Sequence, residues 1–381
     1  MLNTDHFRSI DGLRAWLAWT VVLEHIGLNT DTDARFPVLN LFYTCGVDAV
    51  EVFIIISGFV ITHLILEKRE RYPVYIARRF LRIYPVYLLC LCVGIVATYL
   101  HFSAFADRPW GPYVPQPELI AAEQRSLAGD GLLWNVLAHL TLLHGAISNR
   151  VLDVSAYMFL TPAWSLSLEW QFYLVAPLVL LGLRTASGRI LVSAAAILAY
   201  AAYQRGSLGN FIDPSFLPGA ALYFATGIAT RLVYPRLPRL RTYPAAAIIV
   251  GIGFVLDAHK LAACLVWVAF VAWMQLERPA DALSARIDRC FRWAFLSGPA
   301  RYLGTRSYST YLIHEPIIHV IVYICIKRFS LGMWPTVVLT LAVTPVLTVL
   351  AAVILYRYVE APAIAYGKRL FGRDRTVIAP A

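Results

Sequence analysis

Long apolar runs separated by short charged segments follow one another along the whole chain. A membrane-spanning helix needs about 20 mostly apolar residues, and ten runs approach that length. The pattern therefore predicts an all-α polytopic membrane protein with about ten transmembrane helices. We place them near residues 13–29, 47–66, 83–101, 164–183, 190–205, 215–233, 243–257, 260–276, 307–326 and 334–356.

The basic residues predict the orientation of these helices. Ten spans put both termini on one side, and with that side cytoplasmic, 25 of the 33 Lys and Arg residues fall in cytoplasmic segments. This asymmetry follows the positive-inside rule. The net charge of +10 is therefore mainly topological, and we do not expect a nucleic-acid partner.

Composition leaves no room for a large soluble domain. Of 381 residues, 59% are apolar and 15% are charged, against about 25% charged in soluble domains. We predict one transmembrane domain over residues 1–363, with an external loop at 102–163, and a short basic cytoplasmic tail at 364–381. The first span lacks a cleavage pattern, so we expect it to be a retained helix. Within the loop, "GLLWNVLAHLTLLHG" predicts an amphipathic or re-entrant helix over the outer mouth.

The first span keeps ionisable groups inside an apolar run. Arg14 and His25 are eleven residues apart, which puts them on one helix face and roughly 16 Å apart along the axis. Ionisable groups within a membrane are expensive and usually functional. The helix could line a pathway with a cation at the cytoplasmic mouth and an imidazole inside. Alternatively, Arg14 is a snorkelling anchor and His25 an interfacial side chain.

Three later spans add polar candidates. Glu51 lies toward the outer end of the second span, and Ser57 lies near mid-membrane beside a glycine that permits close packing. Glu169 opens the fourth span at about the level of His25. Arg78 and Arg82 share a face of the third span, where they could form an anion site or anchor the helix to the cytoplasmic side.

The ninth span contains "HEPIIH", which does not match a zinc helix. Its histidines are five residues apart instead of four, and a proline interrupts them. The six cysteines show no metal-ligand spacing and fall mostly in apolar runs, so we expect no metal site and no disulfide framework. His314 remains open between a second site residue and a packing hydrogen bonder. Glu360 follows at the cytoplasmic end of the last span, where proline is expected to end the helix.

Taken in order, these strings resemble acyltransferase family 3. They run from residue 9 to about 363 and are Arg14 followed by ten residues and His25, then "VEVFIIISGF", "RRFLRIYP", "WSLSLEWQFY", "SYSTYLIHEP" and "YRYVEAP". Three positions depart from the family pattern. Glu51 stands where Asp is usual, Trp170 where a second acid is common, and Glu315 where an aromatic residue is common. Some members carry an extracellular esterase-like domain after the last helix; we expect this chain to act without one.

The resemblance implies transfer of an acyl group, most often acetyl, from an acyl-CoA to a hydroxyl group. It implies a sugar acceptor in a cell-surface polysaccharide or glycolipid, or in a smaller branch a small molecule such as a macrolide. The expected partners are the lipid bilayer of the inner or plasma membrane, acyl-CoA and the carbohydrate or glycolipid acceptor. No permanently bound cofactor is expected, and the oligomeric state is open between a monomer and a homodimer.

Roles for the candidates follow from this chemistry. Arginine forks suit phosphate, so Arg78, Arg79 and Arg82 are expected to hold the CoA phosphates, with Arg14 at the tunnel mouth. His25 is the candidate general base. The sequence neighbour Glu24 points about 100° away from it, so Glu51 or Glu169 is the expected orienting carboxylate.

Several alternatives stay open at this stage. Ser57 is assigned to packing in preference to carrying the acyl group, because the sequence fixes no base beside it. Direct transfer and an acyl-enzyme intermediate are both compatible with the residues. A proton-coupled transporter would also use buried His, Glu and Arg, although no inverted repeat is visible. A non-catalytic scaffold would leave the intramembrane charges unexplained.

Overall fold

The computed structural model describes residues 4–32, 36–110, 117–244 and 261–372. Helices dominate this part of the chain, and its only β-type pairing is a single bridge between Leu240 and Leu276. The predicted all-helical fold is confirmed for these residues. The helices are α1 (Thr4–Thr30), α2 (Pro37–Lys68), α3 (Tyr72–Ala106), α4 (Pro117–Ser126), α5 (Gly131–Leu140), α6 (Ala163–Gly182), α7 (Ala186–Gln204), α8 (Ala221–Val233), α9 (Ala262–Met274), α10 (Ala282–Leu296), α11 (Gly298–Gly304), α12 (Ser307–Tyr323), α13 (Met333–Leu355) and α14 (Ala361–Leu370).

Six helical segments are long and apolar enough to cross a membrane. They are Cys45–Lys68, Tyr72–Ala106, Ala163–Gly182, Ala186–Gln204, Ser307–Arg328 and Met333–Leu370. Helix α1 is not among them, because its ionisable residues lower its hydropathy, and α8 and α9 have only 13 residues each. The predicted span at 243–257 lies almost wholly outside the described residues. The protein is a multi-pass membrane protein; ten spans and two cytoplasmic termini remain predictions.

Helix α7 shows where the lipid lies. None of its residues is buried, and Ile190, Leu191, Ile197 and Leu198 are between 67% and 72% exposed. Apolar side chains on this scale are stable only against an apolar solvent. We therefore place α7 at the rim of the bundle, facing acyl chains.

Helix α1 lies at the centre of the bundle. It packs against α2, α10, α11, α12 and α13, while α12 also contacts α3 and α13. Glycines permit the closest approaches between helices, as expected for Gly58. Gly58 of α2 faces Gly227 of α8, and a Cβ added to Gly227 would lie 2.1 Å from the Ile55 carbonyl oxygen. The helix that carries both Arg14 and His25 is thus enclosed by protein on several sides.

The last span continues beyond its predicted end. A π-helical turn at Tyr356–Glu360 leads directly into α14. Pro362 does not stop the helix, because it follows the π-helical turn, where the regular i to i−4 hydrogen-bond pattern is already interrupted. The expectation that proline ends the helix after Glu360 is therefore wrong.

The loop between α3 and α6 folds back into the bundle. At the end of α5, the His139 carbonyl accepts a hydrogen bond from the Tyr87 hydroxyl at 2.9 Å, and the Leu140 carbonyl accepts one from Tyr84 at 3.0 Å. Both tyrosines lie near the middle of the 35-residue helix α3. Helix α5 therefore reaches about half the depth of α3, which favours the re-entrant interpretation over a helix that lies across the outer mouth.

Candidate active site

A cavity of about 280 Å³ opens between α1, α2, α3, α6 and α12. It lies at the end of the bundle that carries Arg14, which the topology predicts to be cytoplasmic. The sequence candidates Arg14, Arg79, Arg82, Ser57 and Glu169 all contribute to its wall. Residues separated by up to 155 positions thus meet around one space, as the resemblance implied.

Three guanidinium groups line the cavity together with the Glu169 carboxylate. Arg82 Nη1 donates to the Glu360 carboxylate at 2.7 Å, and Ser309 donates to the other oxygen of the same carboxylate at 2.7 Å. Arg14 lies 3.8 Å from Asp11. The buried Nε of Arg79 has no hydrogen-bond partner among the described residues. A buried donor of this kind is costly unless a ligand satisfies it, so the cavity suits an anion.

Arg78 lies outside this site. Its guanidinium pairs with Glu70 and donates to the Phe371 carbonyl at 3.0 Å. Arg78 and Arg79 are adjacent in α3, but Arg78 makes structural contacts while Arg79 lines the cavity. The expected pairing of Arg78 with Arg82 in one anion site is corrected by this geometry: Arg79 takes that place, because it lies on the face of α3 that turns toward the cavity.

A polar cluster stands on the cavity wall between α2 and α6. Ser57 Oγ donates to Glu169 at 2.9 Å, and the Tyr173 hydroxyl donates to the same carboxylate oxygen. Two hydroxyl groups on the cavity wall thus donate hydrogen bonds to Glu169. It does not make the contact with His25 that the sequence predicted.

Phe53, Ser165 and Tyr311 line the cavity, and a histidine centre lies next to Tyr311, whose ring is 6.1 Å from that of His314. His25 Nδ1 is 3.4 Å from a carboxylate oxygen of Glu315, and both side chains are less than 10% exposed. The His314 ring meets the His25 ring edge to face at 4.9 Å between centroids. His25 and His314, candidates on two different helices, are therefore neighbours.

Glu315 is the carboxylate that lies closest to His25 among the described residues. One of its oxygens faces His25, and the other accepts the Thr161 backbone N–H at 2.8 Å. This second contact fixes the carboxylate, because Thr161 belongs to the turn that starts α6. The 3.4 Å contact is not a hydrogen bond, and the buried His25 Nδ1 has no hydrogen-bond partner among the described residues. A carboxylate beside Nδ1 favours the tautomer that carries its proton on Nδ1.

Glu51 occupies a different site. Its carboxylate accepts a hydrogen bond from the Tyr223 hydroxyl of α8. The expectation that Glu51 or Glu169 orients His25 is therefore wrong in this structure. The sequence put both acids at about the level of His25, whereas Glu169 lines the cavity that also contains Arg14, Arg79 and Arg82.

Glu315 was visible in the sequence only as a departure from a family pattern. The available signal was its spacing within α12: residues three and four apart share a helix face, so Glu315 had to lie close to Tyr311 and beside His314. A second acid that the sequence analysis missed is Glu123 of α4. Burial, with the nearby charge of Glu315, raises the pKa of Glu123 to about 8.

A family model described as an acyltransferase domain, that of acyltransferase family 3, matches residues 7–357. In class, the protein is therefore a membrane acyltransferase, and the chain belongs to acyltransferase family 3. The resemblance proposed from the motifs is confirmed. No solved structure matches the chain.

Curated relatives of the chain are named as transacylases and O-acetyltransferases. The chain is 29% identical to the putative membrane-bound transacylase BcsY of Komagataeibacter xylinus over 85% of this chain and 77% of that protein. It is 24% identical to the putative peptidoglycan O-acetyltransferase YrhL of Bacillus subtilis, and 23% identical to the O-acetyltransferase OatA of Staphylococcus aureus, each over 97% of this chain. The chain spans only 57% and 59% of these two proteins.

Proposed function

We propose that the protein transfers an acetyl group from acetyl-CoA to a sugar hydroxyl of a cell-surface polysaccharide or glycolipid. The observation that carries the proposal is the placement of the His25–Glu315 pair next to a cavity with three arginines. Both features share the central helix α1. Family membership and the O-acetyltransferase relatives favour this enzyme over a proton-coupled transporter.

The donor would enter from the arginine end. Guanidinium groups bind phosphate in a bidentate manner, so Arg14, Arg79 and Arg82 would hold the CoA phosphates. A volume of about 280 Å³ accommodates a thin chain better than a nucleotide, so the pantetheine arm would fill the cavity. The thioester would then lie against Phe53 and Tyr311, below the histidine centre.

The transfer needs one base and one acid, and His25 can supply both. Its Nε2 takes the proton from the acceptor hydroxyl while the hydroxyl oxygen attacks the thioester carbonyl carbon. The carbon–sulfur bond then breaks, and the imidazolium returns the proton to the departing thiolate. Glu315 positions the ring and stabilises its charged form. The products are an O-acetyl ester and free CoA, so no base or redox partner is consumed.

The acceptor would approach from the opposite end, past the segment 117–161. This direction follows from the predicted topology, which puts the loop between α3 and α6 outside. Exclusion of water from a buried centre limits hydrolysis of the thioester. A polysaccharide or a lipid-linked sugar fits this side, in agreement with the peptidoglycan in the name of one relative.

The test is release of free CoA from acetyl-CoA by the purified full chain in detergent, with and without a candidate glycan acceptor. We expect His25→Ala to lower the rate by about 10²–10⁴-fold, the usual contribution of a general acid–base group. Arg14→Ala should weaken acetyl-CoA binding instead. Equal rates in the wild type and His25→Ala would overturn the base assignment. No CoA release and no CoA binding would overturn the acetyl-CoA donor.

A further inference from the structure

Two hydroxyl groups mark the end of the cavity that lies closest to His25. Tyr311 of α12 and Ser165 of α6 line the wall there, opposite Phe53 of α2. Tyr311 is only 8% exposed, and its ring lies 5.8 Å from that of Phe53. The thioester carbonyl would arrive at this point, so the groups here face the reacting atoms.

The two hydroxyls are hydrogen-bonded to each other. Tyr311 and Ser165 are 2.8 Å apart, and each can donate to the Pro162 carbonyl, at 3.1 Å and 3.0 Å respectively. Both oxygens are therefore held in one place by the start of α6. The same turn fixes Glu315 through the Thr161 N–H, so the hydroxyl pair and the orienting carboxylate share one support.

Helix geometry places this pair beside the histidine centre. Tyr311 precedes His314 by three residues and Glu315 by four, so the three side chains lie on one face of α12. The Tyr311 ring is 6.1 Å from the His314 ring, which in turn is 4.9 Å from that of His25. The hydroxyl pair is thus one helical turn from the carboxylate that positions the base.

Acyl transfer at this position creates a charge that needs donors. When the acceptor oxygen bonds to the carbonyl carbon, the C=O electron pair moves to oxygen and forms an oxyanion. Its collapse restores C=O and breaks the C–S bond, while the proton taken by His25 passes to the thiolate. Donors held in advance at the oxyanion lower this barrier more than any other single group.

We propose that Tyr311 and Ser165 are catalytic residues that form the oxyanion hole of the transferase. When the thioester arrives, the two hydroxyls turn from the Pro162 carbonyl to the thioester carbonyl oxygen. Three other hydroxyls on the cavity wall are less suited. Ser57 and Tyr173 donate to the Glu169 carboxylate, whose negative charge would repel an oxyanion, and Tyr308 donates to the Ile83 carbonyl. The inference rests on the proposed acyl transfer at His25.

The experiment compares Tyr311→Phe, Ser165→Ala and the matched control Tyr308→Phe in full-length purified protein. Tyr308 belongs to the same helix and lines the same cavity, but its hydroxyl donates to the Ile83 carbonyl at 2.6 Å. We expect Tyr311→Phe to lower kcat by about 10²–10³-fold, the usual cost of one oxyanion donor. The KM for acetyl-CoA and the Tm should stay near wild type. Ser165→Ala should lower kcat in the same way, and the double variant should lose less than the product of the two factors.

Three results would overturn the role of Tyr311. Tyr311→Phe could keep a kcat within threefold of wild type, its loss could appear in KM or Tm instead of kcat, or Tyr308→Phe could lose as much. If the wild type and Ser165→Ala are equally active while His25→Ala is inactive, the proposed function survives and only the oxyanion hole fails. A wild type that releases no CoA would overturn both.

Discussion

The two ends of α1 present opposite environments for charge. At one end, the Arg14 side chain is 24% exposed and lies in a cavity with two more arginines. At the other end, His25 is 9% exposed and faces a buried carboxylate. The Arg14 end is open to hydrated groups, whereas the His25 end is closed to them. Under the proposed function, one helix would separate binding of the donor from the chemistry along its length.

This contrast predicts different kinetic signatures. An interaction made equally in the ground and transition states raises KM when it is removed, while one made only in the transition state lowers kcat. Substitutions at the arginine end should therefore act on the KM for the donor. Substitutions at the histidine end should act on kcat.

The largest effect is expected from Glu315→Gln. The amide keeps the shape of the carboxylate but cannot stabilise the imidazolium that His25 forms. We expect kcat to fall by about 10²-fold or more, within the range seen when the orienting acid of a catalytic histidine becomes an amide. The KM for acetyl-CoA should change little. Initial rates at several acetyl-CoA concentrations separate the two constants.

The control for that experiment is Glu51→Gln, which makes the same chemical change at another intramembrane acid. Its amide oxygen can still accept the Tyr223 hydroxyl, so the loss should stay within about tenfold, the size of one net hydrogen bond. If Glu51→Gln lowered kcat more than Glu315→Gln, the histidine centre would need a different carboxylate.

At the arginine end, Arg79→Gln should raise the KM for acetyl-CoA by about tenfold or more, since hydrogen bonds to charged groups contribute about 1.5–3 kcal/mol. The kcat should stay close to wild type. The neighbouring Arg78→Gln breaks the partly buried pair with Glu70, so it should lower Tm and leave KM unchanged. A KM increase in Arg78→Gln with none in Arg79→Gln would exchange the two roles.

The sequence predicted the helices better than it predicted which side chains meet. The apolar pattern identified nearly all of the long helices, since burial in lipid or in protein needs the same side chains. For the same reason, the apolar pattern could not tell a lipid-facing helix from one packed in protein. No residue of α7 is buried, whereas 78% of the apolar window in Ser307–Arg328 is buried. Hydropathy measures how favourable it is to remove a side chain from water. It carries no information on whether lipid or protein then surrounds that side chain.

Partners across helices were the least predictable feature. His25 pairs with Glu315, 290 positions later, because α1 packs on α12, and no spacing rule reaches that far. Arg78 and Arg79 differ by about 100° around α3, and only the packing of α6 and α14 decides which one faces the cavity. Sequence spacing defined the faces of each helix, but not their neighbours.

A smaller effect is expected from Ser57→Ala, which removes one of the two hydrogen bonds to Glu169 in the cavity. Tyr173 still satisfies that carboxylate, so we expect a rate loss of less than about tenfold. This variant also tests whether the acyl group passes through Ser57. Quenching the wild type during turnover with radiolabelled acetyl-CoA should leave no label on Ser57. Complete loss of transfer in Ser57→Ala, with labelled serine in the wild type, would favour an acyl-enzyme.

The smallest expected effect concerns pH at the histidine end. The pKa of Glu123 is raised by burial from 4.5 to about 8. The folded state therefore keeps a proton that the unfolded state loses above pH 4.5, so stability falls as pH rises from about 4.5 to 8 and then levels off. Glu123→Gln removes this contribution. Between pH 5 and 8 its Tm should fall by a few °C less than that of the wild type.

Thermal unfolding across this pH range decides the point, with Glu277→Gln as the matched control. The Glu277 side chain is 63% exposed, so its variant should follow the wild-type curve. Parallel curves for the wild type and Glu123→Gln would mean that Glu123 is already ionised and hydrated at neutral pH. The histidine end would then admit water from the side of α4, and the contrast between the two ends of α1 would be weaker than their exposures indicate.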